Sequence, residues 1–151
     1  MIKTYNMKQI KYTPEIITSL ESNEVFVFGS NKNGHHTGGA ARVAYEKFGA
    51  KWGMFEGIAN NSYAIPTLNE YMDKVSKIDL EDSIAKFIDF VLTNQHLTFY
   101  LTKIGCGIAG WSIEEVKDIF WKVIEVFRPA LEKEAHLPAN LIIPKEFCYE
   151  N

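Results

Sequence analysis

The chain has 151 residues, 46% hydrophobic and 23% charged, which is one domain's worth of ordinary globular sequence, long enough to bury a core. Its 16 basic and 19 acidic side chains leave a formal charge of −3, without the basic excess that binding a phosphate backbone calls for, and this speaks against nucleic acid as a partner. No apolar run approaches the ~20 residues that cross a bilayer, the Met1-Ile2-Lys3-Thr4-Tyr5 start has no apolar signal core, and Cys106 and Cys148 lack metal-type spacing, so a reduced, cytoplasmic protein without membrane association, metal or cofactor is expected.

No repeat, low-complexity tract or linker divides the chain, which reads as one domain over 1–151. In chain order, residues 14–20 read as a short helix. Val25-Phe26-Val27-Phe28 is apolar on both faces and reads as a strand that stops at Gly29. A small-residue segment, about 39–48, reads as a helix closed by Gly49. Residues 56–61 read as a loop before the next strand, Tyr63-Ala64-Ile65, which is expected to stop at Pro66. After Asp79, the residues Leu80, Ile84, Phe87, Ile88, Val91 and Leu92 share one helical face. Leu97-Thr98-Phe99-Tyr100-Leu101 reads as a strand. A second amphipathic helix follows, carrying Ile113, Val116, Ile119, Phe120, Val123, Ile124 and Phe127 on one face; Ser112 and Glu115 have capping-box spacing, and Pro129 lies just past its end. Asn140-Leu141-Ile142-Ile143 reads as a last strand, stopping at Pro144. Apolar strands alternating with helices predict an α/β domain with a mostly parallel sheet covered on both faces, and ligands bind such sheets beyond the carboxyl ends of the strands.

Two glycine-rich loops sit at such ends. The first runs Gly29-Ser30-Asn31-Lys32-Asn33-Gly34-His35-His36-Thr37-Gly38-Gly39-Ala40-Ala41 and feeds a helix. Its glycines and alanines admit a ligand close to the backbone, and the helix start offers unpaired N–H groups and a positive dipole end, a combination that binds phosphate. A tight helix–sheet turn accounts for the same residues equally well. The loop matches neither G-x-G-x-x-G nor G-x-x-x-x-G-K-[ST], which disfavours hydride transfer and P-loop hydrolysis. The second loop, Ile104-Gly105-Cys106-Gly107-Ile108-Ala109-Gly110-Trp111, follows an apolar strand. Gly107 and Gly110 are expected to adopt positive φ and form a nest of inward N–H groups. Two such loops leaving parallel strands are expected to line one cleft and make a phosphate-binding pocket.

The pair resembles the macro domain, the ADP-ribose-binding α/β module, on Asn31 with Gly38-Gly39-Ala40-Ala41 and, more specifically, on Gly105-Cys106-Gly107-Ile108. The pattern Val-Phe-Gly-Ser-Asn, His-x-Gly-Gly-Ala-Ala, Tyr-Ala-Ile-Pro-Thr and Ile-Gly-Cys-Gly-Ile-Ala-Gly-Trp also resembles a phage-associated macro-like family, over about residues 24–144. The resemblance implies a three-layer α/β/α macro-like fold, with the second loop around a diphosphate and Asn31 at the distal ribose. It implies ADP-ribose or a related NAD-derived nucleotide as ligand, and an ADP-ribosylated protein as a partner. Three features depart from the family. Lys8-Gln9-Ile10 offers no acid where some macro domains hold adenine. Ala109 stands where one hydrolytic branch has Asp, and no Lys ends the 63–66 strand.

A binding module is the first reading. A hydrolase removing ADP-ribosyl groups or a terminal phosphate is the second, with Asn31, His35 and His36 as its catalytic candidates; a loop histidine can exchange protons near neutral pH. The two adjacent histidines point apart and make a poor metal pair, with only His96 and His136 elsewhere. Cys106 lacks a neighbouring base and reads as a packed side chain. Glu56 reads as a solvated loop acid, with water activation as its alternative. Trp111 fits a pocket wall or the core equally.

Overall fold

The computed structural model describes residues 11–149. Five strands, β1 (Glu24–Asn31), β2 (Gly57–Ala59), β3 (Ser62–Leu68), β4 (Thr98–Leu101) and β5 (Leu141–Ile142), form one sheet in the order β2-β3-β1-β4-β5. β3, β1, β4 and β5 run parallel, and β2 pairs antiparallel with β3. Three helices complete the fold: α1 (Gly39–Lys47), α2 (Lys77–Thr93) and α3 (Ile113–Phe127). Among the described residues no helix is long and apolar enough to cross a membrane.

Alternation along β1 separates two apolar clusters. Val25 and Val27 join Tyr63, Ile65, Phe99 and the buried faces of α2 and α3. Phe26 and Phe28 point the other way, to Ala41 and Ala44 of α1 and to Phe48. Leu80, Phe87, Phe99, Phe120 and Phe147 are fully buried, each contributing about 1.5–3 kcal/mol by its removal from water. α3 begins as the spacing predicts: Ser112 and Glu115 exchange hydrogen bonds with each other's backbone N–H at 3.0 Å.

Four sequence expectations change. β1 does not stop at Gly29 but runs on to Asn31, because β3 continues beside it and pairs with Gly29, Ser30 and Asn31 through Ile65, Pro66 and Leu68. β3 does not stop at Pro66 but continues to Leu68, because Pro66 lies beyond β2's last partner, Ala64, where its missing N–H costs no bond to β2. Residues 57–59 of the expected loop form β2, joined to β3 by Asn60-Asn61, with Asn60 at φ 52°. Residues 14–20 contain no helix. They continue from Thr13, whose N–H donates to the Ile143 carbonyl at 2.9 Å and whose hydroxyl donates to the Leu101 carbonyl at 2.6 Å. Seven residues without a cap do not offset the cost of helix nucleation. Lys8-Gln9-Ile10 and the Met1–Tyr5 start lie outside the described residues.

Candidate functional site

β1 is followed by α1 on one face of the sheet, and its neighbour β4 by α3 on the opposite face. Chains that diverge from adjacent parallel strands in this way leave a crevice between them. A cavity of about 250 Å³ occupies that place, near the lower end of small-molecule sites. From the first loop it is lined by Gly29, Ser30, Asn31, His35, Thr37 and Gly38, and at the start of α1 by Gly39, Ala40 and Ala41. From the second loop come Ile104, Gly105, Gly107, Ile108 and Ala109. Cys106, Gly110, Trp111 and His36 do not line it. Thr67, Leu68, Met72, Thr102 and Lys103 complete it. Thr102 and Lys103 lead into the second loop and are expected at the pocket with it; the sequence reading missed Thr67, Leu68 and Met72. The first two end β3, the other parallel neighbour of β1, so the rule about carboxyl ends of strands could have found them.

The loops are held together by close backbone approach. A Cβ on Gly29 would lie 3.1 Å from the Gly105 nitrogen. Gly105 has φ +73°, and its Cβ would lie 2.7 Å from Trp111 Cδ1, so only glycine fits. Gly107, expected to have positive φ, does not; the left-handed residues of this loop are Gly105 and Gly110. A Cβ on Gly107 would meet open space. Trp111 is core: it is buried, and its indole N–H donates to the Thr67 carbonyl at 3.0 Å.

The donors available to a ligand are backbone N–H groups. Gly38 caps α1 without a side-chain hydrogen bond, and the first turn carries no acid. The N–H groups of Gly39, Ala40 and Ala41 therefore have no acceptor among the described residues, and they carry the positive end of the helix dipole. The N–H groups of Gly107, Ile108 and Ala109 also lack acceptors there. Among the described residues no carboxylate lines the cavity. The lining cation, Lys103, is held at 3.2 Å by both Glu15 and Glu146, and these hydrogen bonds raise its pKa. The start of α3 is different. Its N-cap and first turn are occupied by Ser112, Glu114 and Glu115, and the Ser112 N–H bond holds the Glu115 carboxyl below its usual range.

The candidate catalytic residues separate. Asn31 is buried and fully engaged with the loop: its Nδ2 donates to the His35 carbonyl at 2.8 Å and its Oδ1 accepts from the His35 N–H at 3.1 Å. His35 is exposed at the cavity. His36, expected on the surface, is 2% exposed and lies between Phe28, Tyr45 and Trp52, with Nε2 2.8 Å from the Lys51 carbonyl. It is drawn inward because its ring packs against Phe28 on the sheet. Burial pushes the Cys106 thiol up to about 11, and its S–H faces the Ile104 carbonyl at 3.4 Å. Glu56 is half-buried and away from the cavity: Oε1 pairs with Lys86 at 3.5 Å, and Oε2 is buried with no partner among the described residues.

No family model matches the chain, and no curated protein does. Among solved structures, a protein of unknown function from Bacteroides thetaiotaomicron is similar, with a TM-score of 0.53 and 15% identity over 85% of this chain and 89% of that one. At that identity the likeness is one of fold.

Proposed function

We propose that the cavity binds the phosphates of ADP-ribose or a related nucleotide-diphosphate, on a three-layer α/β/α macro-like fold. One observation carries this reading. Six residues whose backbone N–H groups have no acceptor among the described residues, Gly39–Ala41 and Gly107–Ala109, border one cavity that no described carboxylate lines. Such an arrangement favours an anion with several oxygens over a cation or an apolar ligand. The sequence resemblance narrows the anion to an NAD-derived nucleotide, free or on an ADP-ribosylated protein. We place the protein in the cytoplasm on its two unbonded cysteines. Of the three hydrolase candidates only His35 opens freely on the cavity, since Asn31 is tied to its own loop and His36 is buried behind it. A binding module is therefore the reading we hold.

Calorimetric titration tests it, with wild type and Gly107→Glu against ADP-ribose, AMP and NAD. A side chain at 107 meets open space and needs no unusual φ, so the variant folds and places a carboxylate at the cavity. Two charge-assisted hydrogen bonds lost, at about 1.5–3 kcal/mol each, lower affinity about a hundredfold or more. A wild type that gives no heat with any of the three at millimolar ligand ends the nucleotide assignment. Release of free ADP-ribose from an ADP-ribosylated protein would instead establish the hydrolase.

A further inference from the structure

We propose that His35 and Trp52 form a stacking platform for the heterocyclic base of the nucleotide, an inference that rests on the phosphate reading of the cavity and that puts the base at the first loop, where the macro-domain resemblance implies the distal ribose. The His35 ring lies on the Trp52 indole with centroids 5.0 Å apart and planes at 16°. His35 also lines the cavity, and Trp52 is 50% exposed. One face of the imidazole is covered by the indole, and His35 borders the cavity. A planar group entering there extends an existing two-ring stack.

The pair is fixed before any ligand arrives. Gly34 and Gly53, with φ +68° and +88°, bring their backbones into contact, and a Cβ on Gly34 would lie 2.4 Å from the Gly53 carbonyl carbon. The Gly53 N–H donates to the Gly34 carbonyl at 2.9 Å. The two hydrogen bonds of Asn31 hold the His35 backbone. His36 fixes the other ring. Because the Lys51 carbonyl can only accept, His36 Nε2 donates to it, and Nδ1 is buried with no partner among the described residues. Its ring stands edge-on to Phe28 (5.4 Å, 85°) and to Trp52 (6.2 Å, 78°), and Tyr45 packs against Trp52 at 5.6 Å. His36 is thus a positioning residue for Trp52 rather than an acid or base.

Stacking requires a planar π-face and little else. No acid among the described residues lines the cavity to read an amino edge, so this platform tolerates different bases. AMP and ribose 5-phosphate differ only by the base, which makes them the probes. His35→Ala and Trp52→Ala are expected to lower AMP affinity about tenfold or more, the scale of a lost base–aromatic stack, and to leave ribose 5-phosphate within about twofold. His35→Phe, which keeps a ring, restores AMP binding. AMP quenches wild-type tryptophan fluorescence, and Trp52→Phe removes that quench. Equal losses for both probes, or unchanged AMP affinity in both alanine variants, overturn the platform while the phosphate site stands. Wild type binding neither probe overturns the phosphate reading and the platform with it.

Discussion

The two glycine loops leave adjacent parallel strands, and each starts a helix, yet the helices begin in opposite ways. α1 starts at Gly38 with no side-chain cap and no acid. α3 starts with a complete capping box and two glutamates in its first turn. The helix with the stronger start signal has therefore closed its own N-terminus to ligands. The weaker one keeps its donors and dipole available at the cavity, and glycine in place of serine at such a position costs only a few tenths of a kcal/mol. A pronounced helix-start motif marks stability here, and its absence beside a strand end marks the place where an anion can be held.

The contrast can be broken in graded steps. Gly105→Ala has the largest expected effect, a loss of about 2–4 kcal/mol from left-handed strain and overpacking against Trp111, read from urea denaturation. A change under about 0.5 kcal/mol would show that the 2.7 Å approach to Trp111 is not tight. Gly38→Asp comes next and separates stability from binding. Gly38 already has extended cap geometry, φ −151° and ψ 163°, so the carboxylate caps α1 and adds about 0.3–1 kcal/mol of stability. The same charge occupies the donors at the cavity and lowers ADP-ribose affinity at least about tenfold; unaltered affinity would remove α1 from the site. Ser112→Ala costs about 1 kcal/mol of stability with affinity held within about twofold, and a binding loss matching that of Gly107→Glu would move the site to α3. Cys106→Ala leaves affinity within about tenfold, since the thiol does not line the cavity. With that thiol protonated below about pH 11, iodoacetamide labels Cys106 slowly at neutral pH and faster as pH approaches 11. Rapid neutral labelling would contradict its burial.

Much of the framework is legible in the sequence because it is written in local patterns. Apolar runs mark β1, β3, β4 and β5, periodicity marks α2 and α3, and Ser112 with Glu115 marks the α3 start. β2 is three residues long and leaves no run, although Asn60-Asn61 between Ala59 and Ser62 is a two-residue hairpin signal. The site is legible at the level of loops and not of side chains. Nothing local reveals that His36 turns inward while His35 stays out, because that depends on Phe28 and Lys51 across the fold. Nor does spacing show which glycines adopt positive φ: Gly105 and Gly110 do and Gly107 does not.

If backbone N–H groups at the two loops hold the phosphates, as we propose, amide chemical shifts during a titration of isotope-labelled protein with ADP-ribose will report it residue by residue. The amides of Gly39, Ala40, Ala41, Gly107, Ile108 and Ala109 are expected to move together and saturate with a single Kd, while those of Ser112 to Glu115 stay still. Shifts confined to the start of α3, or six loop amides unmoved at millimolar ADP-ribose, would contradict it.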